Sequence, residues 1–135
     1  MEPLSAAASI IAVVQGIGAC WKIYSAVKDA KGDIEELRRE VISVEELAKH
    51  VEELIRSPNG RKFSASKELE NALNGCYSEL QRLKDKLGSQ KERKFFRIVK
   101  KHAMWPLTGP EVAKIVGNLE RWKQSINLAL NIDQV

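Results

Sequence analysis

Apolar side chains recur at intervals of three and four residues along most of this chain, the periodicity of amphipathic helices. The pattern is clearest in the second of the periodic segments, whose apolar positions lie among many charges: Ile34, Leu37, Val41, Val44, Ala48, Val51 and Ile55. Asp33 and Glu36 have the spacing of a capping box, so we expect this helix to begin there. Ser57, Pro58, Asn59 and Gly60 should end it, because proline lacks the backbone donor and Asn-Gly favours a turn.

Two further long segments show the same spacing. The third helix should begin after a loop that ends at Ser64 or Ser66, and Gly88 should stop it. Its apolar positions are Leu69, Leu73, Cys76, Leu80, Leu83 and Leu87. Thr108 and Glu111 form a second capping-box pair, which predicts a last helix that reaches almost to Val135. The apolar positions of that helix are Val112, Ile115, Val116, Leu119, Trp122, Ile126 and Leu130.

The first segment differs from the others because it is apolar on nearly every side. From Leu4 to Val27 the first charged side chain is Lys22, and alanine, isoleucine and valine dominate. Such a helix is expected either at the centre of a bundle or in lipid. Glu2, rather than a basic residue, precedes the apolar run, which argues against a secretory signal.

A shorter segment, Gln90 to Met104, predicts a basic helix that Trp105 and Pro106 end. Together these patterns predict an all-α fold: an antiparallel four-helix bundle with an additional short basic helix before the last long helix. The 135 residues fit a single domain, 1–135, which we expect to be the N-terminal domain of a longer protein.

Candidate chemistry changes this picture little. Cys20, His50, Cys76 and His102 lie one to an element, too dispersed to predict a metal site, and neither histidine has an evident catalytic partner. We therefore expect no enzyme activity, no cofactor and no small-molecule substrate. The cysteines are interpreted as reduced core thiols of a cytosolic protein. The net charge of +4 is modest, and no nucleic-acid-binding motif accompanies it, so no nucleic-acid partner is expected.

The uncharged stretch from Pro3 to Trp21 is the first candidate functional feature. Its nineteen residues would extend about 28 Å as a helix, close to the hydrocarbon thickness of about 30 Å. The candidate membrane-inserting side chains are Leu4, Ile10, Ile11, Val13, Val14, Ile17 and Trp21. Ser5, Ser9, Gln15, Gly16 and Gly18 dilute the hydrophobicity, so a single copy should insert only marginally. The alternative is that this helix is simply the buried centre of the bundle, with small residues that let its neighbours approach closely.

The second candidate feature is a basic lipid-docking patch formed by Lys91, Arg93, Lys94, Arg97, Lys100 and Lys101. Each basic residue near an anionic leaflet contributes about 1 kcal/mol to binding. The alternative is a solvated helix face whose apolar residues, Phe95, Phe96, Ile98 and Val99, close one end of the bundle.

The opening "PLSAAASIIAVVQGIGACWKIYSAVKDAKGDIEELRREV" and the closing "WPLTGPEVAKIVGNLERWKQSINLALNID" resemble the fungal HeLo-like N-terminal domain of STAND (NOD-like receptor) proteins. The most specific part is Trp105, Pro106 and Leu107, followed by Glu111 and Val112. The resemblance implies an effector of regulated cell death and heterokaryon incompatibility in innate immunity, with Leu4 to Trp21 as the membrane-active segment. No nucleotide-binding module and no recognisable amyloid motif follow within these residues.

The resemblance and the residue patterns lead to one hypothesis with a rival. The bundle would be cytoplasmic at rest, and clustering, either by self-association or by a STAND receptor partner, would bring several N-terminal helices to the anionic plasma membrane, where they insert together. The rival is a soluble adaptor or oligomerisation bundle of a STAND receptor that never enters lipid.

Overall fold

Helices account for most of the described part of the chain, and no described residue lies in a β-strand. The computed structural model describes residues 3–24, 31–58, 60, 63, 66–88 and 105–134. The four long helices are α1 (Pro3–Tyr24), α2 (Lys31–Arg56), α3 (Lys67–Gly88) and α4 (Gly109–Gln134). They pack against one another around one apolar core, so the prediction of an all-α four-helix bundle is confirmed. The predicted short basic helix lies outside the described residues.

The helices are arranged as a ring in which α1 and α4 occupy opposite corners. Helix α1 packs against α2 and α3, and α4 packs against the same two helices. Helices α3 and α4 are antiparallel, because Glu79 pairs with Asn118 while the later Lys86 pairs with the earlier Glu111. Each helix therefore has two neighbours and one outward side.

Helix α2 shows how its charge pattern produces one buried seam. Six of the seven predicted apolar positions are buried, and the seventh, Ile55, packs partly buried against the core. The predicted start at Asp33 is wrong by two residues, since the helix begins at Lys31. Asp33 lies instead in the first turn, where its negative charge faces the positive end of the helix dipole.

The ends of the other helices follow their predicted signals. Ser66 accepts a hydrogen bond from the backbone N–H of Leu69 at 3.1 Å, which makes it the N-cap of α3. The capping box of α4 is confirmed in both directions. The backbone N–H of Glu111 donates to Thr108 Oγ1, and the backbone N–H of Thr108 donates to Glu111 Oε1, each at 3.2 Å. Two unpaired backbone donors at the start of α4 are satisfied in this way.

Gly60 fits its turn because any side chain would collide with the helix it follows. A Cβ at Gly60 would lie 1.7 Å from the carbonyl oxygen of Ile55. The backbone N–H of Gly60 donates to the Ser57 carbonyl at 2.9 Å, which closes the turn. The predicted stop after α2 is thus confirmed, and it rests on a close backbone approach.

Candidate functional site: the N-terminal helix and its shelter

The inner face of α1 carries its large apolar side chains. The buried residues recur at intervals of one, three and four residues along the helix: Ala6, Ala7, Ile10, Val13, Val14, Ile17, Cys20, Trp21 and Tyr24. Five of the predicted membrane-inserting side chains are therefore buried against α2 and α3. The other two, Leu4 and Ile11, are partly exposed. The bundle shelters most of the apolar surface that the hypothesis requires.

The outer face of α1 is exposed and consists of small or uncharged residues. Ser5, Ala8, Ala12, Gln15 and Ala19 follow one another at intervals of three and four and all face solvent. The expectation that α1 lies at the centre of the bundle is therefore wrong, because α1 occupies a corner of the ring. The large aliphatic side chains pack mainly inward, and the exposed side carries small or uncharged side chains. Neither side carries a charge between Pro3 and Trp21.

The C-terminal end of α1 is attached to two other parts of the bundle through Tyr24. Its hydroxyl donates a hydrogen bond of 2.7 Å to the carbonyl oxygen of Leu87, in the last turn of α3. Its ring meets the ring of Trp105 edge to face, with centroids 5.2 Å apart. Carbonyls in the last turn of a helix have no donor within the helix, so Tyr24 satisfies a group that would otherwise be buried without a partner.

Lys84 of α3 covers α1 farther along. A Cβ placed on Gly16 would lie 2.9 Å from Lys84 Cε, so the aliphatic stem of this lysine crosses the α1 backbone where a side chain is missing. Long basic side chains commonly cover apolar surface while their charge stays in water. Gly16 therefore allows α3 to approach α1 closely.

The predicted lipid-docking patch, Lys91 to Lys101, lies outside the described residues, as does His102. The structure describes the chain again from Trp105, and Leu107 is buried just before α4. The patch therefore stays a prediction.

The candidate metal-binding residues lie apart in the described part of the chain. Among the described residues, no three histidine, cysteine or carboxylate side chains lie close enough to hold a metal ion. His50 is exposed beside a shallow groove between α2 and α4. Cys20 and Cys76 are buried thiols, as predicted for core thiols. Burial, together with the charges of Glu79 and Glu40, raises the pKa of the Cys76 thiol to about 12, so this thiol is a poor nucleophile at neutral pH.

A groove between α3 and α4 was not predicted from the sequence. Its central part has a volume of about 530 Å³ and is lined by polar side chains, among them the buried carboxylate of Glu79. The Trp122 ring packs on Gly75, where a Cβ would lie 2.4 Å from the ring. The available signal for this close approach was a glycine on α3 directly before the core residue Cys76, together with a tryptophan on α4.

Sequence reasoning also missed the attachment at Tyr24 and the small-residue face of α1. Both had a signal: an aromatic hydroxyl closes the apolar run, and Ser5, Ala12 and Ala19 recur at heptad spacing. Comparison of the chain with family models, with curated proteins and with solved structures gives no match. The HeLo-like resemblance therefore stays a prediction, and the proposed function depends on the features of the bundle described above.

Proposed function

We propose that this bundle is a membrane-permeabilising effector domain that stores α1 against α2 and α3 and releases it into a bilayer when several copies cluster. In this proposal the domain is cytoplasmic at rest and reaches the plasma membrane on activation. The role in cell death and incompatibility, and a STAND receptor as the upstream partner, come from the resemblance alone.

The observation that carries the proposal is the absence of charge on both faces of α1 from Pro3 to Trp21. Pro3–Trp21 has a mean hydropathy of 1.7 and is long enough to cross a bilayer, a property that core helices of soluble proteins can share. Here the large side chains face the core and the exposed side adds only small or uncharged residues. Release of α1 would thus bring no charged side chain into lipid between Pro3 and Trp21.

Clustering is required because one copy of α1 inserts only weakly. Ser5, Ser9, Gln15 and the two glycines lower its hydrophobicity. In lipid, small residues at intervals of three and four allow helices to pack closely, and the exposed face of α1 has this spacing. The face that contacts water in the bundle would therefore become the contact between inserted helices.

The basic segment from Lys91 to Lys101 supplies the attraction to anionic lipid in this proposal. Such attraction weakens as salt screens the charges, so binding to anionic vesicles should fall with ionic strength. Vesicles without anionic lipid should bind the protein weakly at any salt concentration.

The test uses a charge placed where the folded bundle tolerates it and the bilayer does not. Ala12 is exposed on α1, so Ala12→Glu should leave the fold intact. A carboxylate at the centre of a membrane helix costs about 2.5 to 3.5 kcal/mol per copy. We expect Ala12→Glu to abolish dye leakage from anionic vesicles when the protein is forced to oligomerise by a fused oligomerisation tag.

Ala113→Glu is the matched control, because Ala113 is equally exposed but lies on α4. It should leak dye like the wild type, and circular dichroism should show both variants folded. Equal leakage from the two folded variants would remove the insertion proposal. No leakage and no lipid binding by the oligomerised wild type would favour the soluble adaptor instead.

A further inference from the structure

The α3/α4 groove extends along most of the two helices as three adjoining hollows of different character. The first is mainly apolar and is lined by Glu68, Asn71, Ala72, Trp122, Ser125, Leu128 and Ala129. The second holds Glu79, Arg82, Asn118 and Arg121, and the third continues from these to Lys86, Glu111, Lys114 and Ile115. Lys86 pairs with Glu111 and Arg82 with Glu79. One end of the groove is therefore acidic and apolar, and the other carries more cations than carboxylates.

A stripe on the outward side of α2 has the complementary order. It consists of Arg38, Ile42, Glu46, Lys49 and Glu53, which share one face at helical spacing and are all exposed. We call this set the α2 stripe. Among the described residues the large hydrophobics classed as exposed are Ile42, at 44%, and Leu128, at 62%. One lies on the stripe and the other in the groove.

We propose that the α3/α4 groove of one copy binds the α2 stripe of a second copy. This contact names the surface through which copies would cluster in the proposed function. It rests on the proposed function only for the purpose that clustering would serve. The contact itself is supported independently by the charges and the spacing of side chains on the α2 stripe and in the α3/α4 groove.

The spacing of the charges fixes how the stripe lies in the groove. Glu46 and Glu53 are seven residues apart on α2, and Arg121 and Lys114 are seven residues apart on α4. With α2 of the second copy antiparallel to α4, both carboxylates come level with both cations at once, about 10.5 Å apart along the axis. Arg82 lines the same end of the groove and adds positive charge beside Glu53.

The same alignment brings the apolar residues together. Four residues before Glu46, Ile42 comes level with Ser125, between Trp122 and Leu128 on the groove wall. Trp122 is partly buried on Gly75 and so offers a fixed aromatic surface. Burying exposed apolar surface of this kind contributes about 25 cal/mol per Å².

Of the remaining two charges of the stripe, one meets an opposite charge and the other a neutral amide. Lys49 comes level with Asn118, whose amide donates to the buried carboxylate of Glu79 at 3.0 Å. Arg38 comes to the acidic end of the groove, where Glu68 is exposed. A single alignment therefore brings three charges of the stripe to opposite charges and its apolar side chain to an apolar wall.

The two surfaces differ, so the contact is heterologous and each copy keeps one free stripe and one free groove. Contacts of this kind build rings or open chains rather than closing at a dimer. Such growth would bring many copies of α1 together, which is the condition that the proposed function sets.

Sedimentation equilibrium of the full chain at low ionic strength tests the contact. We expect the weight-average mass to rise with concentration beyond that of two copies. Glu46→Arg should weaken association by about tenfold or more through like-charge repulsion with Arg121, and Arg121→Glu should do the same. The double variant, with both reversals in one chain, should associate like the wild type, since each contact regains an opposite pair.

The control is Glu36→Arg, which makes the same change of charge on α2 but outside the α2 stripe. It should associate like the wild type. A monomeric mass at every concentration, a mass that stops at two copies, or a double variant that does not recover would each overturn the proposal. The outcome is independent of lipid, and Ala12→Glu should still associate, so failure of the contact and failure of membrane insertion can be told apart.

Discussion

Helices α1 and α2 are neighbours in the same bundle, yet each distinguishes its inner face from its outer face by a different property. In α2 the distinction is polarity, because buried aliphatic residues alternate with exposed charges such as Glu46 and Lys49. In α1 the distinction is mainly size, because the large Ile10 and Ile17 face the core while only small or uncharged residues such as Ala8 and Ala12 face solvent. Both patterns bury one side of a helix, but only the second leaves both sides uncharged, from Pro3 to Trp21.

This difference between the two helices has a large effect on the free energy of inserting each of them into lipid. Each charged side chain at the centre of a membrane helix costs about 2.5 to 3.5 kcal/mol, and the outward face of α2 carries several. Helix α1 carries none between Pro3 and Trp21. Under the proposed function, α1 rather than α2 would therefore be the helix that enters the bilayer.

The largest expected effect comes from placing a charge on the inner face of α1. Ile10 is fully buried, so Ile10→Asp should destabilise the bundle by more than about 4 kcal/mol because the carboxylate has no partner there. Ala8→Asp, on the exposed side of the same helix, should change the free energy of unfolding by less than about 1 kcal/mol. Urea denaturation measures both. Equal decreases in the free energy of unfolding for the two variants would mean that α1 does not have distinct inner and outer faces.

A smaller effect is expected at the attachment of α1 to α3. Tyr24→Phe removes the donor to the Leu87 carbonyl and leaves that buried acceptor unsatisfied, which should cost about 1 to 3 kcal/mol. Because this bond holds α1 in the bundle, the variant should also leak dye at lower protein concentration than the wild type. A loss of stability without any gain in leakage would separate the attachment from the release of α1.

The smallest effect concerns pH and the start of α4. Lys86, at 2.9 Å, and the backbone of Thr108 donate to Glu111 and lower its pKa. A lowered folded-state pKa means that the carboxylate stabilises the bundle above its unfolded pKa and that this contribution is lost as the pH falls through the folded value. Urea denaturation from neutral pH into acid should show the stability difference between the wild type and Glu111→Gln narrowing in acid.

The same pH series of urea denaturation should show a different result for the attachment of α1. The hydrogen bond from Tyr24 to the Leu87 carbonyl involves no carboxylate, so the loss of stability caused by Tyr24→Phe should stay constant over that pH range. A difference between the wild type and Glu111→Gln that does not vary with pH would contradict the role assigned to the capping box and to Lys86.

The helices were predictable because their signals are local. The apolar seam of α2, the capping box at Thr108 and Glu111, and the stop at Gly88 depend on residues within a few positions of one another. The predicted start of α2 lies two residues after the observed one, since a carboxylate suits either the N-cap or the first turn of a helix. Local patterns therefore determine which segments become helices more reliably than where each helix begins.

The positions of the helices in the ring were not predictable, because they depend on contacts between distant residues. A helix without charge gives no polarity by which to choose its outer face, so the central placement of α1 was a reasonable expectation and a wrong one. The close approach of Trp122 to Gly75 and the bond from Tyr24 to Leu87 join residues 47 and 63 positions apart. The α3/α4 groove follows from the first of these contacts and could not be derived from either helix alone.

The environment of α1 on leaking vesicles shows directly whether this helix enters the bilayer. A fluorophore sensitive to polarity, attached through Ala12→Cys in a chain whose own two cysteines are replaced by alanine, reports whether the exposed face of α1 enters lipid; Ala113→Cys is the control on α4. If α1 enters lipid, we expect the label on α1 to emit at shorter wavelength and to be quenched by quenchers carried on lipid. The emission of the label on α4 should not change. A label on α1 that stays in water while the vesicles leak would contradict the proposed insertion of α1.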